Sequence, residues 1–207
     1  MYYRLQINKI LAIFLLLLIN GGCSSGKGEP SSNDLNNVNQ IIAIKDGVAP
    51  EKILKYIYKN ANTLGVCEGE IDTNAAQEFS KIYSVGQGRY LVEVLCFLGA
   101  YQGNYEYFLY DRKGSEVILK PLGFDIFEVD DSGKITKKQS HSISGLTEFI
   151  PEKQELTVLT KYRGLGDCGA LAKYQWQQEE FKLLEYRIKE KCDGIYLEPE
   201  QYSRIYP

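Results

Sequence analysis

The chain has 207 residues, of which 44% are hydrophobic and 25% charged, with a formal net charge of −3. These values are ordinary for a globular protein with a sizeable core. The mildly acidic balance excludes general affinity for nucleic acid or for anionic membrane surfaces. The 16 Tyr, 8 Phe and 1 Trp favour strands, because aromatic side chains suit pleated, half-buried surfaces.

The first 22 residues have the pattern of a secretory signal peptide. Residues 1–9 contain two basic side chains and no acid, and an unbroken apolar run follows over residues 10–19. A run of ten residues is shorter than the roughly 20 that a membrane-spanning helix needs. We therefore predict a signal peptide over residues 1–22 rather than a transmembrane helix, and an exported protein.

Cys23 directly follows Gly21 and Gly22, and this small-small-Cys sequence resembles the lipobox of bacterial lipoproteins. The resemblance implies cleavage before Cys23 by signal peptidase II and attachment of lipid to that cysteine. Asn20 departs from the family pattern, which prefers an aliphatic residue there. The alternative is an ordinary cleavage that leaves Cys23 free or disulfide-bonded. Residues 24–40 are rich in Ser, Asn and Gly, which predicts a flexible tether between the lipid and the folded domain.

Four cysteines remain besides Cys23, namely Cys67, Cys96, Cys168 and Cys192. An even number of cysteines in an exported chain is typical of a disulfide framework. There is no CxxC pair, and the single histidine is far in sequence from every cysteine. We therefore predict two disulfides and neither a metal site nor a cofactor.

A single domain is predicted over residues 41–207, beginning with a short apolar run at 41–44. A helix is expected over Pro50–Leu64. Pro50 suits its first position, and Gly65 suits its end. Its apolar residues recur at helical spacing and are Ile53, Leu54, Ile57, Ala61 and Leu64.

From Phe79 onward the pattern changes to strands, with turn signals every 8 to 15 residues. Residues 117–129 are predicted to form one strand. Pro121 and Gly123 within it indicate an edge strand or a β-bulge. Residues 135–149 are polar and are expected to be exposed and irregular. The fold class is therefore mainly β, a β-rich α+β fold in which an antiparallel meander closes as a barrel or sandwich, with one N-terminal helix.

The stretch from Leu156 to Gly194 is predicted to contain three strands, the last two joined by a four-residue loop at 177–180. Cys168 and Cys192 then lie at the outer ends of two adjacent antiparallel strands. This arrangement meets the short Cα–Cα distance that a disulfide requires. We predict the pair Cys168–Cys192 and, by elimination, the pair Cys67–Cys96.

The same stretch resembles a family of exported bacterial proteins, the domain of unknown function DUF1176. The resemblance rests on RGLGDCG at 163–169, Trp176, FKL at 181–183 and KCDG at 191–194. Upstream, Cys96 followed by Gly99-Ala100-Tyr101 is also similar. The family has no established activity, so the resemblance implies an exported, disulfide-bonded protein.

Two loops contain possible ligand motifs, and a structural role is the prediction for both. A phosphate-binding glycine loop needs a helix after it, whereas a strand is predicted after GLGDCG at 164–169. EVDDSG at 128–133 lacks the acid that an EF-hand needs at its twelfth position, where Gln139 stands. His141, the only histidine, is expected to be exposed. The sequence has no GxSxG elbow, so no catalytic triad is predicted.

The candidate binding residues are Tyr162, Arg163, Asp167 and Trp176. Arg163 and Asp167 flank the glycine turn with opposite charges. They either pair with each other and lock the turn, or present a polar recognition site beside Tyr162 and Trp176.

Three functions follow from this sequence. The first is a non-enzymatic binding or structural module, anchored by lipid to the cell envelope and facing the periplasm, with an envelope protein or glycan as partner. The second is a periplasmic inhibitor of a cell-wall-degrading enzyme such as lysozyme. The third is a hydrolase built from carboxylates such as Asp72, Glu78, Asp125 or Glu148.

Overall fold

The computed structural model describes residues 41–207 except Asp46 and Asp131. The predicted signal peptide, Cys23 and the tether through residue 40 lie outside the described residues. Within the described part, every helix is too short or too polar to cross a lipid bilayer.

Helix α1 (Ile53–Leu64) follows a 3₁₀ turn at Pro50–Lys52, which confirms the predicted helix. The α1 helix ends at Gly65, whose left-handed backbone (φ 67°) is the conformation glycine adopts most easily. A second, short helix, α2 (Thr73–Phe79), was not predicted. It begins where the Asp72 carboxylate accepts a hydrogen bond from the Ala75 amide, a typical N-terminal cap.

The described residues form twelve strands. Their bounds are β1 (Ile42–Ile44), β2 (Lys81–Gly86), β3 (Arg89–Leu98), β4 (Gly103–Lys113), β5 (Glu116–Pro121), β6 (Phe124–Val129), β7 (Ile135–Ser140), β8 (Ser142–Ile150), β9 (Glu155–Lys161), β10 (Gly169–Gln177), β11 (Glu180–Lys189) and β12 (Ser203–Tyr206). All pairings among them are antiparallel, as predicted.

Strand β4 connects the two halves of the large sheet. One of its edges pairs with β3. The other edge pairs with β8 along residues 103–106 and with β5 along residues 108–113. The sheet divides at Tyr107, whose carbonyl accepts a hydrogen bond from the Leu122 amide at 2.9 Å. The β6–β7 hairpin, a separate two-stranded sheet, is inserted in the chain between β5 and β8.

The path of paired strands runs β1-β5-β4-β8-β9-β10-β11-β12 and does not close on itself. Of the two predicted architectures, the sandwich therefore fits. The main core contains side chains from β3 and β4, from the β6–β7 hairpin and from β8 to β11. A second core lies between α1 and the other face of β3, β4 and β5. Strands β3 and β4 are thus buried on both faces, which accounts for their dense apolar sequence.

Two sequence predictions about this region were wrong. Residues 117–129 form two strands rather than one, because the chain leaves the sheet at Leu122 and Gly123. Residues 135–149 are not irregular: they form β7 and most of β8. Ile143 and Phe149 are buried in the main core, so only part of this polar segment faces solvent.

The β10–β11 hairpin carries the predicted disulfide at its open end. Gly169 lies opposite Lys189, and Cys168 and Cys192 follow just beyond with a Cα–Cα distance of 4.9 Å. The pair Cys67–Cys96 is also present, with a Cα–Cα distance of 5.3 Å. The hairpin loop is shorter than predicted, since both strands extend until only Gln178 and Glu179 connect them.

Candidate binding site

Arg163 and Asp167 pair with each other and lock the glycine turn. The Arg163 Nε donates to Asp167 Oδ1 at 2.7 Å, and Nη2 donates to Oδ2, so the contact is bidentate. The Gly194 amide also donates to Asp167 Oδ2, at 2.6 Å. Asp167 is 3% exposed. The Arg163 hydrogen bonds hold the pKa of the Asp167 carboxyl well below its usual range, although burial opposes this shift.

Replacing Arg163 with Ala is expected to lower the melting temperature at pH 7 by about 5 °C, because a buried carboxylate loses its main partner. Asp167 has a depressed pKa in the folded state, so its stabilising contribution is complete above the unfolded pKa of about 4 and is lost progressively as the pH falls from there towards the lower folded pKa. The difference in melting temperature between Arg163→Ala and the wild type should therefore be smaller at pH 3. Thermal unfolding at pH 7 and pH 3, followed by circular dichroism, measures this difference.

The matched control is Arg204→Ala, which removes a 51% exposed arginine paired with Glu185. An exposed ion pair contributes little, so we expect its melting temperature to change by less than about 2 °C. An Arg163→Ala variant as stable as this control at pH 7 would contradict a structural role for the pair.

Tyr162 lines a groove between the β6–β7 hairpin and strands β8 to β11. The groove has a volume of about 290 Å³. Its thirteen lining residues are Ile126, Phe127, Ser140, Ser142, Ile143, Ser144, Val158, Thr160, Tyr162, Ala170, Ala172, Tyr174 and Tyr186. Tyr162 is 42% exposed, whereas the other lining residues are buried or half-buried, so Tyr162 marks the mouth of the groove.

The groove is uncharged but rich in hydroxyl groups. Seven of its thirteen lining residues are Ser, Thr or Tyr, and none is Asp, Glu, Lys, Arg or His. Partial desolvation raises the pKa of the Tyr162 hydroxyl to about 12, with smaller contributions from Tyr186 and Glu190. The hydroxyl is therefore protonated at physiological pH, as that of an ordinary tyrosine is. Concave sites that combine apolar and aromatic surfaces with polar groups are typical of small-molecule binding.

Trp176 is not part of this surface. It lies seven residues along β10 from Gly169, roughly 23 Å at a rise of about 3.3 Å per residue. It is 5% exposed and its ring packs against Phe181. The structure therefore brings together Tyr162, Arg163 and Asp167 and places Trp176 in the core near the other end of the strand.

His141 was expected to be exposed but is half-buried, between β7 and β8. The predicted hairpin turn connects β6 and β7, where Val129 pairs with Ile135. Asp130 directs Oδ1 at its own turn, where it accepts hydrogen bonds from the amides of Ser132 and Lys134. Asp130 therefore stabilises the hairpin turn itself.

The four carboxylates of the hydrolase hypothesis are distributed over α2, β6 and β8. Asp72 caps α2, and Asp125 on β6 pairs with Lys137 at 2.8 Å. Glu78 and Glu148 are exposed, on α2 and β8. Among the described residues, the cluster with metal-ligand spacing is Cys67, Cys96 and Glu106, but both sulfurs are joined in a disulfide and are not available as ligands.

Sequence reasoning missed Glu93, a 1% exposed carboxylate in the main core. Its oxygens accept hydrogen bonds from Tyr83 at 2.9 Å and from Thr147 at 2.7 Å. Burial raises the pKa of the Glu93 carboxyl, although these two hydrogen bonds oppose the shift. The available signal was a single acid within the otherwise apolar sequence YLVEVLCFL at 90–98.

The fold and these sites define a disulfide-bonded β-sandwich protein with a small uncharged groove. A family model described as "Protein of unknown function (DUF1176)" matches residues 24–207, so the chain belongs to this family. It is similar to "Uncharacterized protein YpfG" of Escherichia coli (strain K12), with 37% identity over 46 residues. That match covers 22% of this chain and 13% of the YpfG chain. No solved structure gives a significant match. Neither comparison indicates catalysis.

Proposed function

We propose that this protein is an exported, non-enzymatic binding module, anchored to the cell envelope by lipid on Cys23 and facing the periplasm. Its ligand occupies the groove between the β6–β7 hairpin and strands β8 to β11. The observation that carries this proposal is the groove itself, a preformed concavity of about 290 Å³ with hydroxyl and apolar walls. The small-small-Cys sequence at 21–23 supports the lipid anchor.

Capture of small molecules from a cell-envelope extract tests the groove. We expect native mass spectrometry to show the wild-type protein with a bound compound that is lost in Ser142→Leu, because the larger side chain fills the groove. Ala172→Leu is a second variant that fills it from β10. The matched control is Ser115→Leu, at an exposed position in the β4–β5 turn. Equal capture by wild type and both groove variants would contradict the proposal.

Mass spectrometry of the mature N-terminus tests the anchor separately. The expected result is cleavage before Cys23 and the added mass of a lipid, with Cys23→Ser appearing in the soluble fraction. An unmodified N-terminus would remove the anchor from the proposal without affecting the groove.

A second candidate function rests on Leu165, which is 75% exposed on the turn that the Arg163–Asp167 pair and the nearby disulfide hold in place. A rigid loop with an exposed apolar side chain is suited to insertion into a cleft of another protein. The corresponding function is inhibition of a cell-wall-degrading enzyme in the periplasm. The test is lysozyme activity measured with micromolar wild-type protein and with Leu165→Asp. Absence of inhibition by the wild-type protein would eliminate this candidate.

A further inference from the structure

We propose that the groove binds a neutral saccharide, with one sugar ring between Tyr162 at the mouth and the β10 floor. This inference rests on the proposed function and specifies the ligand of the same groove. It is carried by three properties of the lining residues, which are their lack of charge, their remaining hydrogen-bonding capacity and the shape of their apolar surfaces.

The absence of charge from the lining excludes ligands whose affinity depends on an ionic group. A phosphate or carboxylate needs a cationic side chain or a cluster of amides, and a metal or ammonium ion needs carboxylates. Two nearby ion pairs are already formed, Arg163 with Asp167 and Lys137 with Asp125. A charged ligand would therefore lose its hydration in the groove without gaining a partner of opposite charge.

Three of the seven hydroxyl-bearing side chains of the groove have only acceptor capacity left. Ser140 donates to the Ser142 carbonyl at 2.6 Å, and Thr160 donates to the Ser144 carbonyl at 2.6 Å. Tyr174 donates to the Asp125 carbonyl at 2.9 Å. Each of these oxygens keeps a lone pair but has used its proton. A ligand that matches these three oxygens must donate hydrogen bonds, whereas Ser144 accepts a hydrogen bond from Asn104 and keeps its proton for a ligand acceptor. A neutral ligand that both donates and accepts has the chemistry of sugar hydroxyl and acetamido groups.

The apolar walls suit the flat face of a sugar ring. Ala170 and Ala172 are two residues apart on β10, so both methyl groups point to the same side of the sheet and form a shallow floor. Phe127 and Tyr186 meet edge to face, with ring centroids 5.0 Å apart, and form one wall. The C–H groups of a pyranose pack on aromatic and methyl surfaces while its hydroxyls reach the polar rim. The volume of about 290 Å³ lies just below the usual range of roughly 300 to 1,000 Å³ for ligand pockets, which suits a single sugar ring.

The test is a titration of the ¹⁵N-labelled full-length protein, followed by the amide resonances of Ala170 and Ala172. The probes are glucose, the N-acetylglucosamine disaccharide and glucose 6-phosphate. We expect glucose or the disaccharide to shift both resonances and glucose 6-phosphate to bind at least tenfold more weakly than glucose. Tighter binding of the disaccharide would identify a polymer fragment as the ligand, and tighter binding of glucose would identify a free sugar.

Tyr162→Ala should weaken binding of the tighter probe roughly fivefold, because one stacking surface is lost. The matched control, Tyr196→Ala, removes a tyrosine that is 61% exposed outside the groove and should leave binding unchanged. The inference is overturned if no neutral probe shifts the two resonances, if glucose 6-phosphate binds as tightly as glucose, or if both tyrosine variants bind alike. Capture of another compound that Ser142→Leu abolishes would then leave the proposed function intact and refute only the saccharide.

Discussion

Replacing Cys168 and Cys192 together with Ser is expected to lower the free energy of unfolding by roughly 3.5 kcal/mol. The two residues are 24 positions apart, and removing the cross-link restores the conformational entropy of that loop to the unfolded chain. The Cα–Cα distance of 4.9 Å lies within the usual range for disulfides. Urea unfolding of the oxidised wild type and the double variant, followed by circular dichroism, measures the loss.

The internal control is the double variant Cys67→Ser, Cys96→Ser, whose disulfide spans 29 positions and should contribute a similar amount. The two double variants differ in their local consequences. Without Cys168–Cys192, the chain around Gly194 is held to the glycine turn mainly by its hydrogen bond to Asp167. A loss below about 1 kcal/mol for Cys168→Ser, Cys192→Ser would show that this disulfide is not an important stabilising element.

Replacing Phe124 with Ala is expected to cost about 3 to 5 kcal/mol of unfolding free energy, which is typical for a buried phenylalanine. Phe124 is fully buried at the start of β6. Its ring contacts those of Tyr107, Tyr174 and Phe181, with centroid distances of 5.2 to 5.3 Å. These contacts hold the β6–β7 hairpin against the main core. The variant should therefore lose stability and also weaken capture of ligand by the groove.

Two further substitutions separate the expected loss of ligand capture from the loss of stability. Phe124→Leu keeps an apolar side chain and should cost less, about 1.5 kcal/mol, so that the folded fraction remains high enough for binding measurements. Phe79→Ala removes a phenylalanine that is 36% exposed at the end of α2 and should cost less than about 1.5 kcal/mol. If Phe124→Ala and Phe79→Ala were equally stable, the hairpin would not be held by this aromatic cluster.

Those parts of the fold that depend on local sequence were predictable. The α1 helix follows from the spacing of Ile53, Ile57 and Ala61, and all three residues are buried in the structure. The disulfide pairing followed from a single hairpin, because adjacent antiparallel strands bring their ends together wherever the rest of the chain lies. The glycine turn and its Arg163–Asp167 pair are likewise contained within five residues.

The groove was not predictable in the same way, because it forms between segments that are distant in sequence. Its serines include Ser140, Ser142 and Ser144, and their spacing of two is a strand signal. Their polarity instead suggested an exposed, irregular segment. Recognising the groove requires knowing that the β6–β7 hairpin packs over β8 to β11, and this depends on burial of Phe124 rather than on any local pattern.

Trp176 and Glu93 show the limit of assigning roles by residue type. A tryptophan near a charged turn in sequence suggested a recognition surface, yet the length of β10 carries Trp176 away from that turn into the core. Glu93 resembled a surface residue by type, yet the alternation of β3 directs it inward with Leu91 and Leu95. In both residues the strand geometry, rather than the chemistry of the side chain, decides the location.

Strands β5 and β8 share one edge of β4, and this arrangement affects how the protein folds. The bond between Asn104 and Ser144 joins residues 40 positions apart, so β4 and β8 meet only after a long loop has closed. Closing such loops slows folding, and neither half of the large sheet is complete without β4. The described domain should accordingly fold slowly and unfold as one cooperative unit, with both cores lost together.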